Sequence, residues 1–97
     1  MQEYEVSILF ENRRDTTMAF LLEPWGEFYE MVPRATFTLV LRSPIQDTAT
    51  ILYGFEDGFD SITVYAWEGC TATLFQDGKE LGAGLFPRSR VPKVPEG

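Results

Sequence analysis

Glu23-Pro24-Trp25-Gly26-Glu27-Phe28-Tyr29-Glu30 sets three acids among three aromatic rings within eight residues. An indole offers an apolar face on which a sugar ring can stack, and carboxylates beside it accept bonds from hydroxyls. Trp25 with Glu23, Glu27 and Tyr29 therefore reads as a candidate site for a carbohydrate or another small ligand. A bolder version makes two of the acids a glycosidase pair, which needs carboxyls ~5 to 9.5 Å apart across a cleft. A chain of 97 residues has little material with which to build and shield such a cleft. The plainer alternative has Trp25 capping the core at a strand connection, with the glutamates in water.

Other chemistry is bounded by what is missing. The sequence has no histidine and one cysteine, which removes Ser-His and Cys-His nucleophile pairs and both histidine-bearing and thiolate-rich zinc sites. Gly82-Ala83-Gly84 lacks the lysine and the following helix of a phosphate loop. Glu56-Asp57-Gly58-Phe59-Asp60 clusters three carboxylates that a hard cation such as calcium could use, but acids at an Asp-Gly pair also suit a plain hairpin turn. Cys70 follows Glu68 and Gly69, and a neighbouring acid blunts a thiol's reactivity. It is expected to be a small, partly buried, inert side chain. Arg13-Arg14-Asp15-Thr16 has the look of a kinase site and equally of a polar turn with its arginines in water. Neither a metal nor a cofactor is expected.

The segments that carry these residues alternate with a period of two, which is the mark of half-buried strands. Tyr4, Val6, Ile8 and Phe10 form one face of a first strand, and Met18, Phe20 and Leu22 one face of a second, stopped by Pro24-Trp25-Gly26. Phe28 to Val32 makes a short third strand with Glu30 turned inward to guard an edge, and Thr36 to Arg42 a fourth, ended by Ser43-Pro44. Thr48 to Trp67 reads as a long hairpin around Asp57-Gly58, or as a shorter arm broken at Gly54. Asp77-Gly78 joins Thr71–Gln76 to Lys79–Leu81. Trp67 is expected in the core or at its rim.

Seven or eight strands with a turn every eight to twelve residues predict an all-β fold, an antiparallel β-sandwich or a small barrel. The domain spans 1–85. Residues 86–97, with Pro87, Pro92 and Pro95 among Arg88, Arg90 and Lys93, form a basic, proline-rich tail expected to be flexible. Leu85-Phe86 is a candidate anchor back to the core.

The run from Glu11-Asn12 through Pro24-Trp25-Gly26 to Pro33-Arg34-Ala35-Thr36-Phe37 resembles small bacterial cupredoxin-like β-sandwich proteins. The resemblance covers the first half of the chain. It implies an Ig-like or cupredoxin-like Greek key and no activity. A blue-copper centre needs two imidazoles and a thiolate, so the copper ligands of true cupredoxins are absent from this sequence.

Residues 1–85 carry fourteen of the fifteen acids and five of the eight bases, within a net charge of −7. Such a body repels phosphate, so nucleic acid and anionic membrane are not expected partners. Met1-Gln2-Glu3-Tyr4-Glu5 lacks the bases and apolar run of a leader, so the chain is expected in the cytoplasm. Together these features point to a non-enzymatic protein-binding or assembly module whose partner is a protein or a second copy. The two alternatives are a ligand binder using Trp25 and its acidic neighbours, and an acidic inhibitor or immunity-type protein for a basic partner.

Overall fold

The structure, a computed structural model, describes residues 3–82 and 91. Among them lie eight strands and no helix: β1 (Tyr4–Glu11), β2 (Met18–Glu23), β3 (Glu27–Met31), β4 (Thr36–Ser43), β5 (Thr50–Glu56), β6 (Phe59–Tyr65), β7 (Thr71–Gln76) and β8 (Lys79–Leu81). They form two four-stranded sheets, ordered β1-β4-β7-β8 and β3-β2-β6-β5, in a sandwich-like arrangement. The expected all-β architecture is present. The expected purely antiparallel pairing is not, because β2 and β6 run parallel from Ala19 beside Ser61 to Glu23 beside Tyr65. After β3 the chain crosses to build β4 in the other sheet, then returns with β5. A strand that reaches its neighbour by such a crossover is free to align parallel to it.

Alternation decides the core. Phe20 and Leu22 on β2 and Phe37, Leu39 and Leu41 on β4 are fully buried, joined by Met31, Val64 and Leu74. Phe20 sits edge-on between Phe10 and Phe37, with ring centres 5.1 Å away on each side. Tyr29 meets Phe37 at 6.5 Å. These contacts orient the layers, since β2 faces both β1 and β4 while β3 faces β4. The edge strands β1 and β5 therefore share one flank of the molecule. The same alternation corrects the expectation for Glu30. Tyr29 and Met31 take the inward positions, so Glu30 points outward beside Ala19 and is exposed.

Both Asp-Gly pairs form two-residue turns with positive φ at each position: 51° and 81° at Asp57-Gly58, 48° and 87° at Asp77-Gly78. That is the type I′ geometry whose twist suits a hairpin. The arm before the first turn is continuous through Gly54, pairing from Thr50–Tyr65 to Glu56–Phe59, so the hairpin is the long one.

Asn12 knits the end of β1 to the turn before β4. Its buried amide donates to Thr16 O at 2.9 Å and Met31 O at 2.8 Å, and its side-chain oxygen accepts from Arg14 N at 2.9 Å. Its backbone exchanges bonds with Ala35 and Arg34. At the opposite end Trp67 is buried and donates its indole N–H to Ile45 O at 2.8 Å. There Gly69, at φ +82°, lets the chain pass Ser43, whose Oγ lies 3.0 Å from where a Cβ would stand. Val91, within the span expected to be a tail, exchanges backbone bonds with Gly69 and Cys70. Leu85-Phe86 and the three tail prolines lie outside the described residues.

Candidate functional site

The Trp25 group is divided by the pleat. Glu27 lies opposite Leu22 on the inward face of the second sheet, where Tyr29 donates its hydroxyl to the Glu27 carboxylate. Glu23 follows Leu22 along β2 and lies opposite Tyr65 on the outward face. Its carbonyl accepts from Ala66 N at 3.0 Å. Trp25, in the turn between them, is half-buried against the core. Glu27 and Tyr29 are thus brought together, whereas Glu23 and Glu27 point to opposite sides of one sheet and do not flank a common cleft.

The acidic hairpin is divided in the same way. Glu56 lies opposite Phe59 on the outward face, Asp57 occupies the turn, and Asp60 points inward with 4% of its surface exposed. Among the described residues no three side chains of His, Cys, Asp or Glu converge as a metal-binding group. Cys70 is fully buried, deeper than the partial burial expected of it.

Asp60 belongs to a cluster that the sequence does not announce. Its Oδ2 pairs with Arg14 Nε at 2.9 Å, its Oδ1 accepts the Tyr53 hydroxyl, and Arg14 Nη2 donates to the Tyr53 oxygen at 3.0 Å. The bond to Asp60 raises the Tyr53 phenol above its ordinary pKa, a rise that burial reinforces and that the Arg14 charge opposes. A carboxylate with both oxygens engaged and a phenol held protonated form a clamp. It ties the loop after β1 to the middle of β5.

Among the described residues no strand pairs with the outer side of β5, so what the clamp holds in place is an open sheet edge. An edge strand shows unpaired N–H and C=O groups and is normally blunted by charge, proline, a bulge or shortness. Three of the four edges follow that rule. β1 carries Glu5 and Glu11, β3 carries Glu27 and Glu30, and β8 has only three residues, two of them Lys79 and Glu80. β5 reads Thr-Ile-Leu-Tyr-Gly-Phe-Glu. It runs seven residues without proline or bulge, and its first charge is the last residue.

Its side chains are apolar on both faces and open to solvent: Ile51 46%, Leu52 53%, Tyr53 57% and Phe55 66% exposed. The outward face of the same sheet carries exposed rings of its own. Phe28 and Phe59, 60% and 69% exposed, border a shallow groove of 200 Å³ with Ala19 and Glu30. Isolated exposed apolar residues are normal on protein surfaces, whereas a contiguous group marks an interaction site. No helix among the described residues is long and apolar enough to cross a membrane. No protein-family model, curated protein or solved structure matches the chain.

Proposed function

We propose that this chain is a non-enzymatic protein-binding and assembly module whose working surface is the free edge of β5. The observation that carries the reading is the contrast among the four edges. Three are charged or short, and the fourth is a full-length apolar strand with no blunting device. A partner strand laid along β5 would extend the sheet, taking affinity from backbone bonds and specificity from alternate side chains. The clamp of Arg14, Tyr53 and Asp60 supports this, because an edge fixed before binding loses less entropy when it is covered. The architecture beneath it is proposed to be a Greek-key, cupredoxin-like sandwich. The parallel contact of β2 with β6 and the four connections that cross between sheets support that topology.

The test is affinity capture from cells of the native source, comparing the wild-type chain with Phe55→Lys. Phe55 is exposed, so lysine blunts the edge without entering the core. The proposal expects proteins held by the wild type, its own untagged copies included, to be lost with Phe55→Lys. Equal recovery by both chains would overturn it.

A further inference from the structure

We infer that the occupant of the β5 edge is a second copy of this chain, added antiparallel about a two-fold axis that passes by Tyr53. The inference rests on the reading of β5 as a binding surface and names what binds there.

The hairpin turn fixes which backbone groups are free. In a two-residue type I′ hairpin the residues flanking the turn exchange both of their hydrogen bonds, here Glu56 and Phe59. Backbone bonding then alternates along the strand. Thr50, Leu52, Gly54 and Glu56 bond to β6, while Ile51, Tyr53 and Phe55 direct their N–H and C=O groups outward. Those three are evenly spaced and centred on Tyr53. A two-fold axis there sets Ile51 opposite Phe55 of the second copy, Tyr53 opposite Tyr53, and Phe55 opposite Ile51. Every outward group gains a partner, and a shift of two residues either way leaves one of the three outside the matched set.

The side chains agree with that register. Ile51 against Phe55, twice, is an aliphatic–aromatic cross-strand pair of the kind that stabilises antiparallel sheets. Leu52 falls beside Gly54 of the other copy, where the missing side chain leaves room. The charges at the ends do not oppose one another, since Glu56 meets Thr50. The four exposed side chains of β5 offer on the order of 500 Å² per copy, so complete cover of both copies would bury at most on the order of 1,000 Å², the lower bound of a specific interface. A contact at that lower bound belongs with weak, concentration-dependent assemblies. Each copy carries a net charge of −7, and added salt screens the repulsion between copies, so association tightens with ionic strength. The two-fold axis covers both free edges at once, and growth stops at two.

The experiment is sedimentation velocity over a concentration series at low and high salt, on the full chain and on two variants. Ile51→Pro removes one outward N–H and leaves the bonds to β6 intact. The substitution occurs twice in the dimer and is expected to weaken it on the order of thirtyfold. Phe55→Lys changes no backbone group and tests the same edge if the proline variant does not fold, with the emission of buried Trp67 reporting the fold of each. The inference expects a salt-strengthened monomer–dimer equilibrium that both folded variants weaken.

A wild type that stays monomeric throughout, assembly that runs past the dimer, or a dimer indifferent to both variants would each overturn the inference. A monomeric wild type whose captured partner is nonetheless lost with Phe55→Lys overturns the second copy alone and leaves the β5 reading standing. A monomer whose captured proteins are unchanged in that variant overturns both.

Discussion

Asn12 ties the end of β1 to Arg14 and Thr16 in the following loop, to Met31 at the end of β3 and to the turn before β4. Truncation to alanine leaves the buried carbonyl of Met31 without its partner, and the carbonyl of Thr16 and the amide of Arg14 without theirs in a part-buried place. Unmet polar groups of that kind cost ~1–3 kcal/mol each when water cannot replace the bond. Asn12→Ala is therefore expected to lower unfolding stability by about 2–4 kcal/mol, measured by urea denaturation.

Tyr53 offers a second prediction at the same scale. Because Asp60 holds the folded phenol above its unfolded pKa, this group's contribution to stability is complete below the unfolded value, near 10, and is lost as pH rises through the higher folded one. In an NMR titration the Tyr53 ring resonance should move at higher pH in the wild type than in Asp60→Asn. Coincident titrations would dissolve the clamp. None of these partners could be paired from the sequence, where Arg14 reads as part of one polar turn and Asp60 as part of another. Loop residues far apart in the chain give no local sign of which contact they will make.

Among the elements, those whose signals are local were legible. The period-two alternation marks β1, β2 and β4 nearly to their ends, and each Asp-Gly pair marks its hairpin. Gly58, at φ +81°, is needed for its turn, and Gly58→Ala is expected to cost about 1 kcal/mol and to loosen the β5–β6 hairpin, seen as faster exchange of the Gly54 amide. The order of the strands was not legible, because it depends on contacts between distant segments. β5 shows why. Ile51, Leu52 and Tyr53 form an apolar run of the kind a fully buried strand carries, yet the crossover after β4 leaves this strand at the rim. Glu30 misleads in the opposite sense. Its place in a short strand suggests an inward guard, but Tyr29 and Met31 outcompete it for the core. The Trp25 group is a cluster in sequence alone, since the pleat sends Glu23 and Glu27 to opposite faces.

For the whole molecule, two quantities oppose each other. A net charge of −7 favours separation of copies, while an apolar edge fixed by the pairing of exposed Arg14 with buried Asp60 favours contact. The core tolerates this division because it lies elsewhere. Phe20 is enclosed by Phe10 and Phe37 near the opposite side of the second sheet from β5. Phe20→Ala should cost about 3–5 kcal/mol in denaturant unfolding, whereas Phe55→Lys should change stability by no more than ~0.5 kcal/mol. Stability and binding would then be separable by mutation, as expected where the contact surface is no part of the fold's support.

The most direct measurement is amide hydrogen exchange along β5, followed residue by residue from dilute to concentrated protein. In dilute solution Ile51, Tyr53 and Phe55 should exchange freely while Leu52 and Gly54, bonded to β6, stay protected. On concentration the three free amides should become protected together, with Leu52 and Gly54 little changed. Outward amides that are already slow in dilute protein, or that remain fast at every concentration and beside every captured partner, would contradict an edge built for contact.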